Sequence, residues 1–197
     1  MESDEYAQSY YPDEANISKK IDSLHPVVKK KALEHKNKCK TLGIDLLIYC
    51  GARTMDEQAA LYAQGRTKPG KIVTNAPPGS SWHNFFLAYD VVEVKNNICL
   101  WENPNWDIIG QLGKQEGMLW GGDWTRMKDR PHFEYHPGLT IKDAQNRFSQ
   151  GLDLLQQEAE VETIVPIPDL RLIINNNPQV LSIIETIKNL IKNIFRL

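Results

Sequence analysis

Several features that mark secreted or membrane proteins are missing from this 197-residue sequence. No stretch is long and apolar enough to cross a bilayer as a helix. The amino-terminal residues 1–5 are acidic and lack the apolar run of a secretory signal. These absences predict a chain without a signal peptide that is synthesised in the cytoplasm as a soluble protein.

Cysteine is also scarce, and the net charge is close to neutrality. The three cysteines, Cys39, Cys50 and Cys99, show no C-x-x-C spacing, so we expect small buried residues rather than a disulfide framework. The formal net charge of -2 gives no basic excess, and we therefore expect no nucleic-acid partner. Hydrophobic residues (41%) and charged residues (24%) occur in proportions typical of a globular domain.

Changes in composition divide the chain into four segments. Residues 1–20 are polar and aperiodic, which predicts a flexible lead-in. Residues 21–148 combine helical periodicity with short alternating strands, a pattern typical of an α+β domain. Residues 149–177 are acidic and contain two prolines, which predicts a linker or a strap over the surface. Residues 178–197 carry an apolar stripe opposite a basic face, which predicts an amphipathic basic helix.

Local signals set the element boundaries expected within the domain. Gly43 is placed to end the first helix, because a left-handed terminal residue prefers glycine. Thr54 and Glu57 have the spacing of a capping box, in which each side chain bonds the other's backbone. The predicted helices begin at Pro26, Thr54 and Asn105, and the predicted strands lie near 44–50, 87–94, 98–101, 118–120 and 133–135.

Two polar clusters carry the residues best suited to chemistry. The first contains His83 and Asp90, and the second contains Asp129 and His132. Together they supply two histidines, one carboxylate and one spare carboxylate. A catalytic zinc ion needs three protein ligands, an open fourth position and a nearby base. If the two clusters meet in space, the sequence predicts a metal-dependent hydrolase.

Each member of the first cluster also has a structural interpretation. On a strand, Asp90 shares a face with Val92, and a carboxylate on an apolar face is costly unless it is paired or bound to a cation. Asp90 could instead cap a turn or pair with an arginine. His83 could be a core histidine with satisfied hydrogen bonds.

The second cluster leaves the same choice open. Asp129 and His132 flank a proline that restrains the backbone, yet they could form a plain turn with an exposed histidine. Glu134 and His136 follow at a spacing of two and could substitute as ligands. Arg53, between a strand and a helix start, could grip a substrate carboxylate or oppose an oxyanion, or could form a structural salt bridge.

Three motifs in order resemble those of zinc peptidases of the VanY and L-alanyl-D-glutamate endopeptidase kind, peptidase family M15. They lie at 51–67, 81–90 and 120–133. The resembling subgroup contains phage endolysins that cut peptidoglycan stem peptides. One departure stands between the first two motif ligands, where Phe86 replaces the glycine of the family pattern.

The resemblance implies a role for each matching residue. His83, Asp90 and His132 would bind zinc, and Asp129 would be the general base. Arg53 would stabilise the substrate or the tetrahedral intermediate. The residues expected around these groups, in substrate or supporting positions, are Ser81, Gln58, Asp123 and Trp124. The implied fold is a small antiparallel sheet with helices on one side, as in Hedgehog and DD-peptidase domains.

The activity implied by the resemblance is hydrolysis of an amide bond in the peptide stem of bacterial peptidoglycan. Two alternatives remain: a D-alanyl-D-alanine carboxypeptidase or dipeptidase, and a non-catalytic cell-wall-binding module on the same scaffold. The protein would act on the cell wall, in the periplasm or outside, after release. The segment 178–197 could contact a membrane surface, pack back on the domain, or self-associate.

Overall fold

A computed structural model describes residues 19–102 and 105–155 of the chain. The described residues up to Leu154 belong to one compact unit. The amphipathic helix expected at 178–197 lies outside the described residues, as do most of the expected lead-in and the linker beyond residue 155. Lys19 and Lys20, at the end of the expected lead-in, are helical. Within the described ranges, no helix combines the length and apolarity needed to cross a membrane.

Among the described residues, three helices begin where the sequence predicts them, and a fourth is additional. They are α1 (Pro26–Thr41), α2 (Met55–Ala63), α3 (Trp106–Gln115) and α4 (Ile141–Ser149). Both bonds of the Thr54–Glu57 capping box are present at the start of α2. Gly43 follows α1 with φ +78°, the left-handed conformation expected of a terminating glycine.

Helix α4 was not among the predicted elements. Thr140 and Asp143 form its capping box, with the backbone amides of both residues bonded to the partner side chain. Asn105 stands at the start of α3 as expected, but its side chain does not cap the helix. Its amide instead donates to Glu93 Oε2 at 2.8 Å and pairs a buried carboxylate.

The sheet is antiparallel and five-stranded. Its strands are β1 (Leu46–Cys50), β2 (Ala88–Lys95), β3 (Ile98–Leu100), β4 (Leu119–Trp120) and β5 (His132–Glu134). The order along the sheet is β1-β2-β5-β4, and β3 also pairs with β2. Asn96 and Asn97 join β2 to β3 with φ values of 53° and 62°, the paired left-handed conformation of a tight hairpin turn. The α+β prediction is therefore confirmed.

The register of the sheet places polar residues next to one another above an aromatic core. Tyr89 of β2 lies opposite Phe133 of β5, and their rings stack at 5.6 Å. One residue further along, Asp90 lies opposite His132. Because successive side chains of a strand point to opposite faces, this second pair is directed to the other side of the sheet.

Phe86 adopts the backbone conformation that glycine favours. It follows the 3₁₀ turn Trp82–Phe85 with φ 65°, in the left-handed region. Phe86 thus stands, where the family pattern has glycine, at a position with the left-handed backbone that glycine adopts most readily. The Phe86 ring lies 5.8 Å from the Phe148 ring. The backbone carbonyl of Phe86 accepts a hydrogen bond from His25 N at 3.0 Å. These contacts hold a conformation that costs a non-glycine residue roughly 1 kcal/mol.

Candidate metal centre

Three side chains from the two sequence clusters meet at one point. Asp90 Oδ1 lies 3.0 Å from His132 Nδ1 and 3.2 Å from His83 Nε2. The two histidine nitrogens are 3.2 Å apart. All three residues are buried, with exposures of 3%, 8% and 7% for His83, Asp90 and His132. They therefore form a compact triangle of one oxygen and two nitrogens.

The first histidine presents a defined nitrogen to this triangle. His83 Nδ1 lies 2.7 Å from the carbonyl oxygen of Gly51, which can only accept a hydrogen bond. In the neutral form of the ring, which is the form that binds a metal, Nδ1 therefore carries the proton and Nε2 faces Asp90 and His132. Such a fixed tautomer is the usual arrangement of a metal-binding histidine.

The second histidine is oriented by a carboxylate. Glu134 Oε2 lies 2.9 Å from His132 Nε2, so Nε2–H donates outward and Nδ1 faces the triangle. Glu134 Oε1 also contacts His136 Nε2 at 3.1 Å. The His136 ring stacks on Trp82 at 3.9 Å with an interplanar angle of 7°. Glu134 thus bridges the two histidines and supports the orientation of His132.

The chemistry of the donor set fits a zinc ion. A tetrahedral zinc site with ligand bonds of about 2.0–2.2 Å places its ligand atoms about 3.3–3.6 Å apart. The observed separations of 3.0 to 3.2 Å are slightly tighter. A second combination is also present: Cys50, His83 and Asp90 each offer a ligand atom within 4.8 Å of the other two. The histidine pair with Asp90 is the closer set, and both histidines have outer acceptors.

The Asp90 carboxylate raises the pKa values of both histidines. Burial lowers the pKa of His83, but the charge and hydrogen bond of Asp90 outweigh it and raise the pKa to about 10. Burial likewise opposes the charge on His132, while hydrogen bonds to Asp90 and Glu134 raise its pKa to about 9. A metal ion must displace these protons, so its affinity falls as the pH falls.

Asp129 lines the same cavity but stands apart from the triangle. Its backbone N–H donates to Gly121 O at 3.0 Å, and its carbonyl accepts from His132 N at 3.2 Å. A Cβ atom on Gly121 would lie 2.5 Å from Asp129 O, so the loop can approach only a glycine there. Desolvation and the charge of Asp90 raise the pKa of Asp129 above its ordinary value. A carboxylate with a raised pKa is suited to accept and return a proton.

Arg53 points its guanidinium into the site between three partners. Nη1 donates to Gln58 Oε1 at 2.8 Å, and Nη2 lies 3.4 Å from Cys50 Sγ and 3.7 Å from Asp90 Oδ2. Gln58 is fully buried and donates in turn to Ala76 O at 2.7 Å. The buried Gln58 side chain therefore holds the Arg53 guanidinium in its orientation.

The 3₁₀ turn carrying His83 is fixed to the Arg53 backbone. Arg53 N donates to His83 O at 3.0 Å, and Asn84 Nδ2 donates to Arg53 O at 2.9 Å. Asn84 Oδ1 also accepts from Gly79 N at 3.0 Å, which attaches the preceding loop. The ligand candidate His83 and Arg53 are therefore joined by direct hydrogen bonds between their chain segments.

A cavity of about 690 Å³ opens over the triangle. Its wall includes Arg53, Asp129 and the three ligand candidates, and it also includes Arg126 and Lys128 from the loop before β5. The cationic side chains suit a substrate that carries carboxylates.

The four residues expected around the site fall into three groups. Ser81 and Trp124 line the cavity, and the Trp124 ring lies 5.2 Å from the His132 ring. Gln58 supports Arg53, as described above. Asp123 pairs with Lys114 at 2.7 Å with half of its side chain exposed, outside the described cavity wall.

Sequence reasoning missed three contributors to the site. Cys50 was predicted to be a small buried residue, but it is half-buried and lines the cavity. The sequence pattern indicates Glu134 only as a substitute ligand and assigns no role to Asn84. The alternation of β5, which puts Glu134 on the same face as His132, was the signal available for Glu134.

The sequence of this chain is similar to those of known peptidases. A family profile described as D-alanyl-D-alanine carboxypeptidase, of the peptidase M15 group, matches residues 74–135. The peptidoglycan L-alanyl-D-glutamate endopeptidase CwlK of Bacillus subtilis (strain 168) is 43% identical over 124 residues, which cover 58% of this chain and 74% of CwlK. The L-alanyl-D-glutamate peptidase of Listeria phage A118 is 28% identical over 133 residues, which cover 65% of this chain and 43% of the phage protein.

Similar solved structures come from the same group of peptidases. The Serratia marcescens L-Ala D-Glu endopeptidase ChiX aligns with a TM-score of 0.48 and 22% identity, covering 66% of this chain and 91% of ChiX. The D,D-pentapeptidase VanY of a VanB-type resistance cassette, a point mutant in complex with Zn(II), aligns with a TM-score of 0.46 and 18% identity. That alignment covers 68% of this chain and 82% of VanY.

Proposed function

Because the chain belongs to the peptidase M15 family, we propose that it is a zinc peptidase of bacterial peptidoglycan that hydrolyses the L-alanyl-D-glutamate bond of the peptide stem. The bond assignment is supported by the names of CwlK and of the Listeria phage peptidase. The reaction type is supported by the chain's own side chains.

One observation carries the proposal. Asp90 and the two histidines direct three donor atoms at one point, and each histidine bonds an outer acceptor through its other ring nitrogen. Any buried histidine needs acceptors for its N–H groups. The feature that points to a cation is that both inner nitrogens and the Asp90 carboxylate oxygen lie within 3.2 Å of one another. His83, Asp90 and His132 would hold the zinc ion. When bound, the ion supplies Lewis acidity toward the scissile carbonyl and lowers the pKa of water.

The remaining charged groups have complementary roles. Asp129 accepts a proton from the attacking water and returns it to the leaving amine, which its raised pKa favours. Arg53 donates hydrogen bonds to the oxygen on which negative charge develops. Gln58 and Asn84 keep Arg53 oriented, so the arginine needs no reorganisation during the reaction.

Replacement of single site residues tests this proposal. We expect His132→Ala to lose bound zinc and hydrolysis together. Asp129→Asn should retain zinc but cut peptidoglycan more slowly, by roughly 10²–10⁴-fold, because only the proton transfer is removed. The measurements are elemental analysis of the purified proteins and mass spectrometry of digested cell walls.

The matched control is Asp107→Asn, which changes an exposed aspartate on α3. Wall digestion at the wild-type rate by either site variant would overturn the assignment. Failure of the wild-type protein to bind zinc, with the fold intact, would instead favour a non-catalytic wall-binding module.

A second candidate is a D-alanyl-D-alanine carboxypeptidase. The description of the matching family profile favours it, and the zinc site would serve both reactions. The products separate them: the endopeptidase creates a new amino terminus on glutamate, whereas the carboxypeptidase releases free alanine. Digestion of purified muropeptides decides between the two bonds.

We also propose that the protein reaches the wall, in the periplasm or outside the cell, after release from the cytoplasm. Similarity to a phage peptidase supports this route. The segment 178–197 would contact an anionic membrane surface or a second copy of the chain. Binding of the full chain and of a chain truncated after residue 155 to anionic vesicles tests the membrane contact.

A further inference from the structure

Cys50 occupies an unusual position for a thiol that sequence reasoning assigned to the core. It is the last residue of β1 and, after an irregularity in the strand pairing, lies opposite Asp90 of β2. Its side chain lines the catalytic cavity. The sulfur lies 3.9 Å from His83 Nδ1 and 3.4 Å from Arg53 Nη2.

The surrounding donors make this thiol part of a ligand group. The ligand atoms of Cys50, His83 and Asp90 all lie within 4.8 Å of one another. Two of these three residues also belong to the triangle described above. The sulfur now contacts His83 on its outer nitrogen Nδ1, so it would have to turn toward Nε2 to bind an ion held in the triangle. The other thiols lie elsewhere: Cys39 is buried on α1, and Cys99 belongs to β3.

We propose that Cys50 is a fourth protein ligand for soft metal ions at the catalytic centre, with Cd²⁺ as the representative ion. This inference rests on the proposed zinc site. Thiolate binds both zinc and softer ions, but it favours the softer ion, so it raises the affinity for Cd²⁺ relative to Zn²⁺, for which the histidines and the carboxylate suffice. A catalytic site keeps its fourth position open, and a site with four protein ligands is closed. Coordination by Cys50 therefore converts an open centre into a closed one.

The chemistry of this step requires no redox partner. The thiol releases its proton to solvent as the sulfur–metal bond forms, and the water in the fourth position leaves. Arg53 loses a contact to the sulfur and retains its bond to Gln58. Soft ions thus inhibit the peptidase activity more strongly than they would if the site contained only the two histidines and the carboxylate.

Absorption spectroscopy of the full-length protein tests the inference. The wild type, Cys50→Ser and the matched control Cys99→Ser are each stripped of metal and titrated with Cd²⁺, and separately with Co²⁺ and Zn²⁺. In the wild type and in Cys99→Ser, the Cd²⁺ titration should produce the near-ultraviolet charge-transfer band of a metal–thiolate bond, with one ion bound.

In Cys50→Ser the band should disappear, and the Cd²⁺ dissociation constant should rise by at least about tenfold. Tenfold is the lower limit because even the removal of a residue that only hydrogen-bonds to a ligand typically weakens metal affinity by that factor. The ratio of Cd²⁺ to Zn²⁺ affinity should fall with it. A band of equal intensity in Cys50→Ser, or stoichiometric Cd²⁺ binding to the wild type without any band, would overturn the proposal.

The outcomes also separate this inference from the proposed function. Tight zinc binding without thiolate coordination of Cd²⁺ leaves the peptidase proposal intact and removes only the role of Cys50. Absence of any metal binding by the folded wild type removes both.

Discussion

At the residue scale, Glu134 links two histidines at the base of the site. It accepts from His132 on one oxygen and contacts His136 with the other, and it is buried. Burial raises its pKa, but the bonds to both histidines outweigh burial and lower the pKa to about 2. The carboxylate is therefore ionised at neutral pH and fixes the orientation of the His132 ring.

We expect Glu134→Ala to weaken zinc affinity by about 10–100-fold, because the His132 ring loses the acceptor that holds its tautomer. Glu134→Gln retains one acceptor oxygen and should recover part of the loss. Competition with a chromophoric chelator measures both affinities. Equal affinities for the wild type and Glu134→Ala would show that the carboxylate does not orient the ligand.

At the element scale, the 3₁₀ turn Trp82–Phe85 connects the site to the surrounding helices. It carries His83, bonds the Arg53 backbone through Asn84, and packs against α4 through the 5.8 Å contact of the Phe85 and Phe148 rings. The turn ends because the next residue is left-handed. The conformation of Phe86 therefore ends the segment that carries the ligand candidate His83.

A comparison of two small substitutions isolates the backbone cost at Phe86. Phe86→Gly should unfold at higher denaturant than Phe86→Ala, with about 1 kcal/mol greater stability, because only glycine adopts φ 65° without strain. Inside a helix or strand, by contrast, a glycine variant is usually less stable than the alanine variant. Both variants lose the ring contact with Phe148, so their difference reports the backbone alone. Equal midpoints, or a more stable alanine variant, would contradict this account.

At the scale of the whole molecule, His35 joins α1 to the sheet and to α3. It is fully buried, with Nδ1 3.0 Å from the Tyr89 hydroxyl and Nε2 2.9 Å from Ile109 O. The neutral ring donates through Nε2 and accepts through Nδ1, so all its hydrogen bonds are satisfied. Burial lowers its pKa to about 4, against the raising effect of the bond to Ile109.

This lowered pKa predicts a pH-dependent stability. In the unfolded chain His35 binds a proton below about pH 6.5, whereas in the folded chain it does so only below about pH 4. The contribution of the neutral His35 to the free energy of unfolding is therefore complete above pH 6.5. It is lost as the pH falls from 6.5 toward 4. We expect a loss of about 2 kcal/mol between pH 7.5 and pH 5 from this residue.

Urea unfolding of the wild type and of His35→Gln at both pH values, with chelator present, provides the measurement. The other histidines are shared by the two proteins and cancel in the difference. His35→Gln should lose less stability on acidification, even if it starts from a lower value. An equal loss in both proteins would rule out His35 as the source.

The sequence predicted the parts of the fold that depend on neighbours along the chain. The Thr54–Glu57 box and the end of α1 at Gly43 follow from local backbone preferences, and both are present. Asn105 shows the limit of such reasoning. Its local preference is to cap α3, but tertiary packing presents a buried carboxylate, whose need for a donor outweighs the cap.

The sequence by itself also determined which residue types could bind a metal, because histidine and carboxylate side chains are recognisable without coordinates. Only the tertiary structure decided that Asp90 lies opposite His132, which nitrogen of each histidine faces inward, and that Cys50 lines the cavity. These features depend on strand register and on acceptors such as Gly51 O and Glu134. Register joins residues far apart in sequence through the packing of the whole sheet, and no local pattern encodes it.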